Sequence, residues 1–216
     1  QINEKGRNIW HSYMTDHYRF GKLTGIEQGY ESEGYVPNPK KGYGLNLTYA
    51  NTSFGQAMTA TSLQVAAALA SVVNGGTYYQ PRLTDAYIDP SGKLSKVKPK
   101  VMRQRVVSLQ TSQDVRGMME KVAAGRIQPR FSSQYSVGGK TGTAQIANPA
   151  GGYYADKFNG TYLGFVGGDK PQYVITVRVN DPGVPGYAGR EAAQPVFVDL
   201  TRMLIDNFGV TPKTNS

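Results

Sequence analysis

The sequence holds no cysteine, which excludes a disulfide framework and any thiolate metal site. Histidine is almost as scarce, with only His11 and His17. Neither has a second histidine or an acid at ligand spacing, so both read as helix-surface or packing residues and no metal is expected. No run approaches about eighteen apolar residues, the length a membrane-crossing helix needs. A secretory signal pattern is missing as well, so a protein working outside the cytoplasm would carry its export signal upstream of Gln1. Acidic residues are outnumbered, 15 against 24 basic, for a net charge of +9. The basic residues cluster only over Lys93–Arg105, and no nucleic-acid-binding motif accompanies them. Nucleic acid is therefore not expected as a partner. Solubility, or attraction to an anionic cell envelope, accounts for the charge.

The 216 residues suffice for one sizeable domain or two small ones, and 39% hydrophobic content can fill a core. The 26 glycines, 12 prolines and 15 tyrosines favour turns and strands over a helical bundle. Ile2–Tyr18 has helical spacing through Ile9, Tyr13 and His17. Glu27–Lys41 is rich in glycine, proline and charge, and reads as an irregular loop. Thr61 and Gln64 form a capping box ahead of an apolar face made by Leu63, Ala66, Ala67, Ala70 and Val73. Gly75 stands where a helix terminates. Ala86–Leu94 reads as a hairpin turning at Asp89-Pro90-Ser91-Gly92. Arg103–Val107 reads as a short extended piece and Ser108–Ala124 as a second amphipathic helix.

Beyond that helix the period changes. Residues 136–146, 160–167 and 172–180 read as three strands with short connections, hence an antiparallel sheet. Pro182–Gly189 is a glycine- and proline-rich loop. Glu191–Phe208 reads as a closing helix, placing Val196, Leu200, Met203, Leu204 and Phe208 against one face of the sheet. The fold class is α/β (α+β), an antiparallel sheet covered by helices.

The stretch needing a chemical explanation is Val137-Gly138-Gly139-Lys140-Thr141-Gly142-Thr143-Ala144-Gln145. Glycine weakens a strand interior and marks a close approach to the backbone. Lysine, threonine hydroxyls and backbone amides together can hold an anionic or peptide-like ligand. A phosphate loop would need glycine at position 134, where Gln134 stands, and its glycines would open a helix rather than continue a strand. The other reading is a Lys-Thr-Gly strand of the penicillin-binding proteins and serine β-lactamases.

Three runs carry a resemblance to class B penicillin-binding proteins of the cell-division type. One is Phe54-Gly55-Gln56-Ala57 with Thr61–Ala68 and Asn74-Gly75-Gly76. Another is Gly138–Gln145. The third is Tyr162–Gly167 with Val179-Asn180-Asp181-Pro182 and Ala193–Phe197. The likeness covers nearly all of Gly21–Phe208. It implies the penicillin-binding, serine β-lactamase-like transpeptidase fold, with residues 1–216 as the C-terminal part of a single transpeptidase domain. It implies a peptidoglycan D,D-transpeptidase acting through an acyl-serine, without a cofactor. Stem peptides ending in D-Ala-D-Ala, β-lactams and divisome membrane proteins are the implied partners. The implied location is the outer face of the cell membrane, through an N-terminal anchor not in this chain.

The resemblance assigns Lys140 charge near the substrate carboxylate, and the hydroxyls of Thr141 and Thr143 contacts to it. The Thr143 N–H becomes an oxyanion donor, and Gly142 leaves room for a peptide along the strand edge. The side-chain expectation sets Lys140 in an open groove with Thr143 beside it. Thr141 falls on the opposite face, in a supporting role.

The departures are equally definite. No Ser-x-Asn occurs, and the literal Ser-x-x-Lys, Ser95-Lys96-Val97-Lys98, lies in a polar lysine-rich loop. The nucleophile is therefore expected upstream of Gln1, and the chain alone is expected to be inactive. A non-catalytic β-lactam-binding or sensor module is the alternative. A β-lactamase would need a water-activating group that nothing here identifies.

Overall fold

The computed structural model describes residues 2–27, 29–184 and 187–214. Position 28 of the Glu27–Lys41 loop, and positions 185–186 of the Pro182–Gly189 loop, lie outside the described residues. The chain divides into two compact units, residues 1–71 with 76–107, and residues 72–75 with 108–216.

The first unit opens with α1 (Glu4–Ser12), capped by the Asn3 side chain, which accepts from the Gly6 N–H at 2.8 Å. The sequence suggests one helix through Tyr18. Instead the chain widens into a π-turn over Tyr13–His17, where the Tyr13 and His17 rings stack 4.4 Å apart. His17 Nδ1 donates to the Val106 carbonyl at 3.2 Å, so this histidine packs. α2 (Leu45–Thr52) is a helix that the sequence pattern does not announce. It follows Gly44 in the left-handed region and buries only Tyr49 and Thr52, so it lacks the apolar stripe that betrays a helix. The buried Tyr49 hydroxyl donates to the Pro37 carbonyl at 2.7 Å.

α3 (Ser62–Val73) starts at the expected capping box. The Thr61 N–H donates to Gln64 Oε1 at 2.8 Å, and the Gln64 N–H to Thr61 Oγ1 at 3.1 Å. Gln64 is buried, and its amide also donates to the Lys22 and Glu33 carbonyls. β1 (Tyr78–Tyr79) pairs with β4 (Val101–Arg103). β2 (Ala86–Ile88) and β3 (Leu94–Lys96) form the expected hairpin. The extended piece expected at Arg103–Val107 begins earlier and ends at Arg103, because Arg105 turns at φ 54°.

The second unit begins its regular structure with α4 (Leu109–Ala124), capped by Ser108, whose hydroxyl accepts from the Thr111 N–H. β5 (Ser136–Ala147), β6 (Tyr153–Gly167) and β7 (Pro171–Asn180) then form one antiparallel sheet in the order β5-β6-β7. This is the expected topology, and β5 is at its edge. The β5–β6 hairpin runs further than expected, to Ala147 opposite Tyr153. Residues 153–159 are mostly exposed and carry Asp156 and Lys157, so no apolar alternation marks them. A π-turn (Gly189–Ala193) leads into α5 (Gln194–Asn207). α5 packs on β6 and β7. The core holds Val137, Tyr162, Val166, Ile175, Val177, Phe197 and Val198, with Tyr162 and Phe197 rings 4.3 Å apart.

Candidate active-site strand

β5 changes character along its length. Val137, Gly138 and Gly139 are buried, and Lys140 is exposed. The glycines follow from what lies beneath them. A Cβ on Gly138 would overlap the Phe165 ring, and one on Gly139 the Tyr162 ring. Phe165 and Tyr162 are 0% and 1% exposed, so neither ring can yield. A Cβ on Gly142 would overlap the Thr161 hydroxyl on the next strand. A large aromatic ring can therefore pack against each face of β5 only because β5 has no side chains there. The strand is held flat and close against β6, and Lys140 is delivered at its exposed edge.

The structure corrects the side-chain pairing at this edge. Lys140 Nζ donates to the Thr141 carbonyl at 2.9 Å and approaches Thr141 Oγ1 at 3.3 Å. Thr143 is engaged elsewhere, its hydroxyl accepting from the Gly189 N–H at 3.0 Å. Two-residue alternation sets Thr141 and Thr143 on one face and Lys140 on the other. The long lysine stem then curls over the edge to its neighbour, not to the residue three positions on. Lys140 belongs to no ion pair among the described residues.

An exposed ammonium beside a hydroxyl and a carbonyl, on a strand at the sheet's edge, can receive a carboxylate. A charge-assisted hydrogen bond of this kind is worth about 1.5–3 kcal/mol. Thr143 fixes the π-turn ahead of α5 to the strand, which the pattern Gly189-Arg190-Glu191-Ala192-Ala193 gave no means of foreseeing. The turn comes close: a Cβ on Gly189 would overlap the Gly142 carbonyl. Ser95, by contrast, lies opposite Tyr87 in the β2–β3 hairpin, fully on the surface.

Residues 5–202 match the family described as penicillin binding protein transpeptidase domain. Stage V sporulation protein D of Bacillus subtilis is 33% identical over 213 residues, covering 97% of this chain and 32% of that protein. Peptidoglycan D,D-transpeptidase FtsI of Escherichia coli is 28% identical over 205 residues, covering 93% of this chain and 33% of that one. The solved structure of penicillin binding protein 3 from Mycobacterium tuberculosis, complexed with ampicillin, superposes with a TM-score of 0.75 at 31% identity. That superposition covers 94% of this chain and 47% of the solved one. The chain thus spans about a third of the length of these curated relatives. With nearly its whole length matched and the Lys-Thr-Gly run presented on an edge strand, the chain belongs to the family of penicillin-binding protein transpeptidase domains.

Proposed function

We propose that this chain is the C-terminal part, residues 1–216, of the single transpeptidase domain of a peptidoglycan D,D-transpeptidase. The observation that carries the reading is the exposed Lys140 ammonium against Thr141 on the edge strand. It is supported by the relative named a peptidoglycan D,D-transpeptidase and by the solved relative holding ampicillin.

In this mechanism a stem peptide lies along the free edge of β5 as an added strand. Lys140 and the Thr141 hydroxyl take its terminal carboxylate. The Thr143 N–H points to the carbonyl oxygen under attack, where one such donor contributes about 3–4 kcal/mol to the transition state. Thr143's own side chain serves a second purpose, since its bond to Gly189 holds the strand in place. A serine supplied by a Ser-x-x-Lys motif upstream of Gln1 attacks the carbonyl. Its oxygen bonds to the carbonyl carbon, D-alanine leaves with the proton, and an amine of a neighbouring stem peptide then takes the acyl group. Penicillins enter by the same route and remain as the acyl adduct. The enzyme works on the outer face of the cell membrane, held by an N-terminal anchor, among proteins of cell division.

The experiment is labelling with a fluorescent penicillin, followed by denaturing electrophoresis and mass spectrometry of the labelled peptide. The chain extended through the upstream motifs takes up the label on a serine outside these 216 residues, and the isolated chain takes up none. A label on Ser95, or on another serine of the isolated chain, overturns the assignment of the nucleophile. Failure of both forms to label overturns the transpeptidase reading.

A further inference from the structure

Behind the motif strand, two cavities share a wall. The smaller, about 160 Å³, is lined by Arg126, Arg130, Arg190, Glu191, Gln194 and Val198 among others. The larger, about 250 Å³, is lined by Arg126, Arg190 and Gln194 again, with Val122, Ile127, Thr141 and Tyr162. Three arginines, each exposed on its outer side, thus line the smaller cavity, from α4's C-terminal side and from the turn ahead of α5, and two of them line the larger one. Only Arg190 has a carboxylate partner among the described residues, Glu191 at 3.1 Å. Arg130 Nε donates instead to the Arg126 carbonyl at 3.3 Å. Three positive groups against one negative leave a surplus of about two charges.

A second, independent feature points at the same place. Tyr162 is 1% exposed, and its hydroxyl has no hydrogen-bond partner among the described residues. A buried hydroxyl destabilises the fold unless something accepts from it. Burial pushes its pKa up to about 12, so the group remains a donor at neutral pH. Tyr162 stands at the wall of the larger cavity, which Thr141 also lines.

We propose that these paired cavities form a binding site for a phosphate monoester, with the dianionic phosphate held by Arg126, Arg130 and Arg190. The surplus of two charges matches a dianion better than a carboxylate, and the guanidinium fork suits phosphate oxygens. The organic part of the monoester occupies the larger cavity against Val122 and Ile127, where one of its oxygens accepts from the Tyr162 hydroxyl. Because Thr141 lines that cavity and also meets the Lys140 ammonium, an occupant touches the residue next to the motif lysine. The site needs no transpeptidase chemistry to exist.

The test is calorimetric titration of the extended protein of the labelling experiment with glycerol 3-phosphate, inorganic phosphate and acetate. Saturable one-site binding of glycerol 3-phosphate is expected, weakening about tenfold in Arg126→Gln or in Arg190→Gln. These substitutions lie on different segments, so failure of one to fold leaves the other to decide. Inorganic phosphate binding as tightly as the monoester would make free phosphate the source and keep the site. Glycerol 3-phosphate binding more tightly assigns the larger cavity to the organic group. Lys140→Ala lowers penicillin labelling of the extended protein, whereas the arginine substitutions are read by phosphate titration, so the two assignments fail separately. Acetate binding as tightly as the phosphates, no saturable binding, or binding untouched by the arginine substitutions overturns the proposal.

Discussion

Two lysine-bearing stretches of this chain look comparable as text. Ser95-Lys96-Val97-Lys98 satisfies the spacing of a serine nucleophile with its lysine, and Lys140-Thr141-Gly142 satisfies the spacing of a carboxylate-binding strand. In the structure they have little in common. Ser95 and Lys96 belong to a three-residue strand exposed at every position, in a hairpin that buries nothing deeply. Lys98 follows it, also exposed. Lys140 emerges from a strand whose three preceding residues are buried, with a buried aromatic ring against each face. The comparison separates a motif on a loose surface hairpin from one on a buried strand. Reactive groups need a backbone that cannot drift, and only the second stretch has one.

The sharpest way to break that contrast is to fill the space under the strand. Gly139→Val forces a branched side chain into the Tyr162 ring and is expected to cost about 3 kcal/mol or to prevent folding. Ser95→Val is expected to change stability by less than about 0.5 kcal/mol. Urea unfolding of both variants measures the difference. Equal stabilities would mean that burial does not fix the motif strand.

Chemistry gives the next largest effect. In the protein extended upstream as proposed above, Lys140→Ala is expected to slow penicillin labelling about a hundredfold, equivalent to about 2.7 kcal/mol. Lys98→Ala is expected to leave the rate unchanged. Stopped labelling reactions read on a gel decide it, and matching losses would erase the distinction between the two lysines.

Elsewhere the fold relies on single polar side chains. Gln64 is buried with bonds to Thr61, Lys22 and Glu33. Gln64→Ala leaves two carbonyls and the Thr61 N–H without partners, for an expected loss of about 2 kcal/mol. Gln64→Glu keeps the acceptor for Thr61 but loses the two donors, so stability should fall there too. A stable alanine variant would show the cap to be dispensable.

The smallest effect depends on pH. Burial works against the charged form of Glu31, but bonds from the Thr24 hydroxyl and from the N–H groups of Thr24, Gly25 and Ile26 outweigh it. The result is a pKa below the ordinary glutamate value. A lowered folded-state pKa contributes stability above the unfolded value, about 4.3, and that contribution disappears as pH falls through the folded one. Melting curves should therefore show wild-type protein losing its advantage over Glu31→Gln as pH drops below about 4.3. A difference constant with pH would assign the advantage to packing alone.

Sequence by itself determined a good deal of this protein. Local rules suffice for the Thr61–Gln64 cap, the Asp89–Gly92 hairpin turn and the three-strand meander, because each depends on residues a few positions apart. The Lys-Thr-Gly run was legible for the same reason. What only the tertiary structure decided depends on residues distant in the chain. Glycine at 138 and 139 has its cause in Phe165 and Tyr162 on the next strand. Thr143 is occupied by Gly189, 46 residues later. The lysine's partner was misread because residues 140 and 143, three apart, face opposite ways, and because a four-carbon stem can carry its ammonium around the edge to Thr141. Arg126, Arg130 and Arg190 carry no signal in the sequence, and only α4's exit and the turn before α5 bring them to one cavity. One-dimensional spacing carries no information about such meetings, since they are set by how the helices pack on the sheet.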